Sequence, residues 1–142
     1  MGRSRGGLTT KIHALVDADG LPIALKLSEG QAHDGPAAAS LFGAVKAGCI
    51  LLADCAYDSD ALRSDLARRG AWGNIRPMSR RKSRPAFSAW LYRQRNAVER
   101  FFNKIKQFRA IATRYDKRDD NFLAGVKLAS IRIWLRANES VA

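Results

Sequence analysis

Cysteine and histidine are scarce in this sequence, with two of each among 142 residues. Cys49 and Cys55 form no C-x-x-C pattern, so we expect free thiols, at or near the core, in a reducing compartment. Besides these cysteines, only His13 and His33 are available as typical zinc ligands of the Cys/His kind. A structural zinc site is therefore not expected.

Long apolar runs are also absent. No stretch approaches the roughly 18 apolar residues of a membrane-spanning helix, and the N-terminus lacks the apolar segment of a signal peptide. Hydrophobic residues still make up 46% of the chain, which is enough for the core of one ordinary domain. We therefore expect a folded cytoplasmic protein.

Acidic residues are few in the second part of the chain. Residues 61–142 carry 20 Lys/Arg against 6 Asp/Glu, whereas residues 1–60 carry 5 against 7. A basic surface of this kind typically binds the phosphates of a nucleic acid, although a merely solvated surface is the alternative. The most basic and least patterned stretch is RPMSRRKSRP, residues 76–85. It predicts a loop, either a solvated linker or one that contacts DNA through Arg80, Arg81 and Lys82.

Hydrophobic periodicity and turn residues predict a mixed α/β domain at residues 10–142, preceded by a flexible basic lead-in at residues 1–9. The first strand of a hairpin should direct Ile12, Ala14 and Val16 to one face. The predicted elements are strands at 11–16 and 23–27, a helix capped by Asp34 up to about 46, a buried strand at 50–53, a helix from 59 or 60 to 69, a strand at 72–75, a long helix from the region after Pro85 to about 108, a break around 114–120 and a helix at 121–137.

The long helix combines an apolar face with a functional one. At about 100° per residue, Tyr92, Arg95, Glu99 and Lys106 fall within roughly a 60° arc. Such an amphipathic helix buries one face and presents the other to a ligand or solvent. The opposite face carries Trp90, Val98, Phe101, Ile105 and Phe108, and the buried stripe of the following helix is predicted to be Phe122, Val126, Ala129, Ile133 and Trp134.

Asp54 follows the predicted buried strand directly. Catalytic and ligand-binding groups of open α/β sheets cluster where strands end, but an Asp in this position is also a common turn former. Asp58 and Asp60 precede a predicted helix and are better explained as turn formers or helix caps, and the cap of that helix is either Ser59 or Asp60.

Glu99 is the sole carboxylate between positions 66 and 115. It could be a surface residue paired with Arg95, a contact worth only a few tenths of a kcal/mol. However, a carboxylate from a strand end and another from a later helix are what a divalent-metal site for phosphoryl transfer requires. Asp54 and Glu99 are therefore candidate catalytic residues and ligands of Mg²⁺ or Mn²⁺.

Three segments resemble bacterial insertion-sequence transposases of the Asp-Asp-Glu (DDE) superfamily, and in particular insertion sequence family five. Tyr92, Arg95, Glu99 and Lys106 match the Y-x2-R-x3-E-x6-K signature at every position. ADCAYDSD, residues 53–60, is similar to the second-carboxylate motif D-x-G-Y, with Ala56 where Gly is frequent. GRSRGGLTTKIHALVDADG, residues 2–20, resembles the region after the first catalytic strand.

The resemblance implies a ribonuclease H-like domain in which Asp54 and Glu99 are the second and third carboxylates. Arg95 and Lys106 would bind DNA phosphates, and Tyr92 would stack on or hydrogen-bond to the DNA end. The implied partners are transposon-end DNA and target DNA, with a dimer in the synaptic complex and association with the bacterial nucleoid.

The resemblance also predicts that the first catalytic Asp and its strand lie upstream of this chain, on a separate transposase segment. Asp17 and Asp19 fall in a predicted turn and are poor substitutes. We therefore expect the isolated chain to be inactive, as a frameshift product or a truncated remnant. His33, in GQAHDGP, could touch DNA or metal, although help in capping the helix after Asp34 is the favoured interpretation.

Three functions remain open at this point. The first is a transposase that cleaves DNA at transposon ends and transfers the freed 3′-hydroxyl to target DNA. The second is a non-enzymatic DNA-binding remnant or a regulator of an intact transposase. The third, less favoured, is another ribonuclease H-like nuclease such as a junction resolvase.

Overall fold

The computed structural model describes residues 2–4, 7–109, 111 and 118–141. The chain divides into a terminal unit, residues 1–31 with 97–142, and a central unit, residues 32–96. In chain order the elements are β1 (Gly2–Ser4), β2 (Gly7–Val16), β3 (Pro22–Glu29), α1 (Gly35–Phe42), β4 (Ile50–Ala53), α2 (Asp60–Arg68), β5 (Trp72–Ile75), α3 (Ala89–Tyr92), α4 (Asn96–Ile105) and α5 (Asp119–Val141). None of the described helices has the length and apolar character needed to cross a membrane.

An antiparallel sheet of order β1-β2-β3 forms one part of the terminal unit. Its β2-β3 pair is the predicted hairpin, with Ile12 opposite Leu27. The turn is held by Asp17, whose Oδ1 accepts hydrogen bonds of 2.9 Å from the backbone N–H groups of Asp19 and Leu21. Gly20 completes the turn at φ +81°, which favours glycine because it has no Cβ.

The first residues depart from the predicted lead-in. Residues 2–4 form β1, whose residues Gly2 and Ser4 lie opposite Thr9 and Gly7 of β2. Extended backbone next to an extended strand satisfies its N–H and C=O groups by pairing. The prediction of a lead-in without folded elements is therefore wrong for residues 2–4 and 7–9, while Met1, Arg5 and Gly6 lie outside the described residues.

The core of the terminal unit lies between the sheet and the helices α4 and α5. Ile12, Ala14 and Val16 all pack against it, which confirms the predicted face of the first strand. The indole Nε1 of Trp134, itself partly buried, donates a 2.7 Å hydrogen bond to the carbonyl of Pro22 and ties α5 to β3. The buried members are Leu21, Phe101, Ile105, Phe122, Val126, Ala129 and Ile133.

The central unit is built on the parallel pair β4-β5, in which Ile50 lies opposite Trp72 and Ala53 opposite Ile75. The connection between these strands contains α2, as a parallel pair requires. Both predicted strands and the helix between them are confirmed. The buried apolar residues are Ala37, Ala38, Leu41, Phe42, Leu51, Ala53, Leu62, Leu66, Ala71 and Ile75.

Helix α1 is shorter than predicted. It ends at Phe42 rather than near position 46, because the chain continues in tight turns with hydrogen bonds from Ala44 N–H to the Leu41 carbonyl and from Val45 N–H to the Phe42 carbonyl. Asp34 occupies the N-cap position as predicted, but its side chain accepts no capping hydrogen bond.

The single long helix predicted before position 108 does not form. A 3₁₀ turn at Arg93–Arg95 separates α3 from α4, and such turns advance by about 120° per residue instead of 100°. Phe101 and Ile105 are buried as predicted, but Trp90 is 68% exposed and belongs to no core. The predicted helix 121–137 is confirmed as the longer α5, whereas most of the predicted break, positions 114–117, lies outside the described residues.

Candidate active site

Asp54 lies at the carboxyl end of β4, where the sequence predicted it. It precedes a 3₁₀ turn, Cys55–Tyr57, and its Oδ1 accepts a 3.0 Å hydrogen bond from the N–H of Ala56. Its Oδ2 accepts a 2.9 Å hydrogen bond from Nη2 of Arg95. The Asp54 side chain is 37% exposed, so this carboxylate is fixed in orientation yet open to solvent.

Arg95 therefore meets the second carboxylate of the predicted site across 41 positions of sequence. Its guanidinium also lies 6.0 Å from the ring centroid of Tyr92, as expected when residues three apart eclipse in a 3₁₀ turn. The Tyr92 ring packs edge-on against Phe87 at 5.3 Å. Of the four signature residues, Arg95 thus contacts Asp54 directly and Tyr92 lies next to Arg95, both within the central unit.

Tyr57 adds a neutral hydroxyl to this region. Its pKa is raised to about 12, chiefly by burial and also by the negative charges of Asp34 and Asp54, while the positive charge of Arg95 acts in the opposite direction. Its ring packs on Phe42 with centroids 6.3 Å apart. The phenol therefore stays protonated at physiological pH and can act as a hydrogen-bond donor.

Asn74 holds the chain segment that leads to Tyr92 and Arg95. This fully buried side chain donates from Nδ2 to the Ser88 carbonyl at 3.0 Å and accepts from the Ser88 N–H at 2.8 Å. The hydroxyl of Ser88 in turn caps α3 by accepting from the N–H of Leu91. Sequence reasoning missed Asn74, because its partner is 14 positions away and no local pattern marks it.

We expect Asn74→Ala to lower the free energy of unfolding by about 1.5 kcal/mol, because it leaves the partly buried N–H of Ser88 without its acceptor and removes one of the two hydrogen bonds to the Ser88 carbonyl, which also accepts from the N–H of Tyr92. Urea denaturation followed by circular dichroism measures this change. Asn103→Ala is the matched control, since Asn103 is exposed on α4, and it should change stability little. Equal effects of the two substitutions would contradict a structural role for Asn74.

A buried ionic cluster lies beside this segment and was also missed. The Asp58 side chain is 1% exposed, and its Oδ1 accepts hydrogen bonds from Nε of Arg63 at 3.0 Å and from Nη2 of Arg81 at 2.9 Å. Its Oδ2 accepts from the N–H of Met78 at 2.8 Å and from Nε of Arg81 at 2.9 Å. Arg81 also pairs with Asp60 at 2.7 Å.

Burial alone would raise the pKa of Asp58. Hydrogen bonds from Arg81, Met78 N–H and Arg63 outweigh that effect and lower the pKa from 3.8 to about 2. Asp58 is therefore an ionised structural carboxylate at the end of the 3₁₀ turn, which agrees with the prediction of a structural role, although its side chain binds Arg63, Arg81 and Met78 rather than capping α2. Of the two predicted caps of α2, Ser59 is the one observed, because its hydroxyl accepts from the N–H of Leu62 and Asp60 is the first residue of the helix.

The remaining predicted site residues occupy separate places. Glu99 is exposed in the first turn of α4, where its charge is favourable to the helix dipole. Lys106 is exposed directly after α4, with its N–H donating to the Phe102 carbonyl. Both belong to the terminal unit. Arg80 and Lys82 are exposed on the predicted loop of the central unit, which contains no helix or strand.

Three other candidates have simpler surroundings. His33 is exposed immediately before the N-cap residue of α1. Cys49 and Cys55 are free, as predicted, but both are exposed, so the expectation that they lie at or near the core is wrong. Cys49 directly precedes β4 and Cys55 is the first residue of the 3₁₀ turn after it, so both lie outside the buried strand.

The donor chemistry of Asp54 fits a divalent metal, since carboxylate oxygens are the ligands that Mg²⁺ and Mn²⁺ prefer. Within the described ranges, no three or more His, Cys, Asp or Glu side chains are grouped closely enough to form a complete metal site. In this arrangement Arg95 supplies the positive charge that balances Asp54.

Comparison with known proteins gives the class of this domain. A family model described as the transposase DDE domain matches residues 2–134, and the chain therefore belongs to the DDE transposase family. The chain is also similar to a Brucella ovis protein named as a transposase for insertion sequence element IS6501. The two are 42% identical over 130 residues, which cover 91% of this chain and 100% of that protein. No solved structure matches.

These findings confirm the predicted insertion-sequence transposase family, which implies DNA-cleaving transposition and generally uses divalent metal ions. Membership of insertion sequence family five stays a prediction. The roles assigned to individual residues also stay predictions.

Proposed function

We propose that this chain is the catalytic part of an insertion-sequence transposase, which binds transposon-end DNA, cleaves it by metal-dependent hydrolysis and joins the freed 3′-hydroxyl to target DNA. The observation that carries the proposal is the 2.9 Å contact between Asp54, at the end of β4, and Arg95, the second residue of the Y-x2-R-x3-E-x6-K signature. A residue of the signature, held in the 3₁₀ turn, and a strand-end carboxylate thus meet in a DDE domain.

Asp54 and Glu99 would hold Mg²⁺ or Mn²⁺ as the second and third carboxylates. The bound metal would supply Lewis-acid stabilisation of the leaving oxygen and activation of the attacking water or hydroxyl. Lys106 and Arg95 would orient DNA phosphates. Tyr92 would flank the DNA end by stacking or hydrogen bonding.

The first catalytic Asp would come from a separate transposase segment. Asp17 supports this assignment, because its Oδ1 already holds the hairpin turn through two backbone N–H groups. Metal-dependent cleavage of terminal-repeat DNA by the purified 142-residue protein alone would contradict the proposal that a separate segment is needed.

The finer assignments follow from the same family. We propose a ribonuclease H-like fold, membership of insertion sequence family five, a dimer in the synaptic complex and association with the bacterial nucleoid. A ribonuclease H-like fold contains both parallel and antiparallel strand pairs. The parallel pair β4-β5 and the antiparallel hairpin β2-β3 are of these two kinds, although they lie in two different sheets here. An experimental structure of the chain joined to its upstream segment, bound to DNA, would test the fold and the assembly together.

DNA binding is the first property to measure. We expect the purified chain to bind a 30-base-pair duplex of arbitrary sequence with an affinity that falls steeply with salt, by about 0.9 in log–log slope for each phosphate contacted. Fluorescence anisotropy at several KCl concentrations gives this slope. A flat salt dependence would contradict the phosphate contacts and with them the proposed function.

A further inference from the structure

We propose that residues 76–85 form a DNA-binding loop that is held in one conformation before DNA binds, and we call this loop the platform. Arg81 holds the loop in place and is called the tether. Arg80, Lys82 and Arg84 contact DNA phosphates. Asp58 is then a positioning residue for DNA binding. This inference rests on the proposed function, since it takes the partner to be DNA. It also revises the prediction for Arg81, from a DNA ligand to a group that holds the loop.

The loop is held where it begins. In the strand before it, the carbonyl of Ile75 accepts a 2.9 Å hydrogen bond from Nη2 of Arg63. Three residues later, the N–H of Met78 donates to Asp58 at 2.8 Å. Because Arg63 also binds Asp58, one carboxylate connects α2, the end of β5 and the start of the loop.

The loop is held in its middle and after its end as well. Arg81 donates hydrogen bonds to Asp58 from both Nε and Nη2, and its Nη2 also donates to Asp60. After the loop, the two hydrogen bonds between Asn74 and Ser88 fix the chain again. A segment without helix or strand is thus restrained by side-chain hydrogen bonds at three places.

The charges of the cluster cancel, and this separates Arg81 from its neighbours in the loop. Two carboxylates, Asp58 and Asp60, face two guanidiniums, Arg63 and Arg81. Arg81 is 19% exposed, whereas Arg80, Lys82 and Arg84 are exposed. The positive charge available to phosphates is therefore carried by the residues on either side of the tether.

The hydrogen bonds to Asp58 link the platform to the segment that carries Asp54. Asp58 lies four residues after Asp54 in the same segment, so the tether attaches the basic loop to the part of the chain that carries the proposed second carboxylate. A loop ordered before binding does not have to lose its conformational freedom when DNA arrives, which improves affinity without adding a contact.

The decisive comparison is between Arg81→Gln and Arg84→Gln, which each remove one positive charge from the same loop. We expect Arg81→Gln to weaken binding to the 30-base-pair duplex by about tenfold at every KCl concentration, with an unchanged salt slope. Arg84→Gln should lower that slope by about 0.9. In the free protein, amide exchange in residues 78–84 should accelerate by about tenfold in the first variant and stay near wild type in the second.

Arg81→Lys is the second variant, and it keeps the charge. A single ammonium lacks the planar fork that spans both carboxylates, so we expect faster loop exchange with the same salt slope. If Arg81→Gln lowers the slope as much as Arg84→Gln and leaves exchange unchanged, Arg81 is a phosphate ligand and the platform is not pinned. If wild type shows no salt-dependent binding, the proposed function fails, and amide exchange still decides whether the loop is tethered.

Discussion

Replacing Glu99 with Gln in the transposase joined to its upstream segment should slow cleavage of transposon-end DNA by about 10³-fold, with DNA affinity within about twofold of wild type. The amide keeps the size of the side chain but removes the charge that would bind Mg²⁺ or Mn²⁺. The effect should therefore appear in the chemical step rather than in DNA binding. Gel analysis of end-labelled DNA under single-turnover conditions measures it.

Glu139→Gln is the matched control, because Glu139 is also an exposed glutamate on a helix of the terminal unit. It should leave cleavage unchanged. Retained cleavage in Glu99→Gln would remove Glu99 from the catalytic set. If wild-type joined protein bound the DNA but never cleaved it, the non-enzymatic DNA binder or regulator would become the better description.

The substitution Asp58→Ala should lower the free energy of unfolding by about 3 kcal/mol. It removes the anion shared by Arg63 and Arg81, whose side chains are 14% and 19% exposed and regain only part of their hydration. It also leaves the N–H of Met78 without the 2.8 Å acceptor. Chemical denaturation at neutral pH measures the loss.

Asp120→Ala is the control for this experiment. Asp120 also accepts two hydrogen bonds from an arginine, Arg118, but the two side chains are 64% and 76% exposed. Exposed ion pairs contribute little to stability, so this substitution should leave the denaturation midpoint nearly unchanged. A similar loss of unfolding free energy in both variants would show that Asp58 contributes no more to stability than an exposed ion pair does.

Asp58 also makes a specific contribution to the pH dependence of stability. Its pKa is about 2 in the folded protein and 3.8 in its ordinary state, so the folded protein binds this proton less readily. The stabilisation is complete above about pH 4 and is lost as the pH falls through 2. Denaturation at pH 5, 3 and 2 should therefore show a smaller acid-induced loss in Asp58→Asn than in wild type, and parallel curves would contradict the assignment.

Much of the local structure was predictable because its causes are local. Asp17 and Gly20 supply the turn chemistry of the hairpin, and the alternation along 11–16 sets which side chains face the core. The apolar spacing of Phe122, Val126 and Ile133 likewise defines the buried face of α5 before any packing is known. The strand-end position of Asp54 follows from the buried run that precedes it.

The interruption between α3 and α4 was not predictable in this way. No proline or glycine marks positions 93–95, and the periodicity alone favours one continuous helix. The 3₁₀ turn coincides with contacts made elsewhere in the sequence, since Arg95 binds Asp54 and the start of α3 is fixed by Asn74. Hydrogen bonds to partners 41 and 14 positions away leave no trace in a local pattern.

By itself, the sequence determined the family, the hairpin, the strands at 50–53 and 72–75, the apolar faces of the helices and the position of Asp54, because motif spacing and hydrophobic periodicity are properties of neighbouring residues. Only the tertiary structure decided that Arg95 balances Asp54 and that Asp58 ties Arg63 to Arg81. In the sequence, Arg81 is one of several basic residues of its loop, and nothing in the composition distinguishes it from the others. Its pairing with buried Asp58, 23 positions earlier, depends on how the chain folds back, and that geometry separates Arg81 from the exposed Arg80, Lys82 and Arg84.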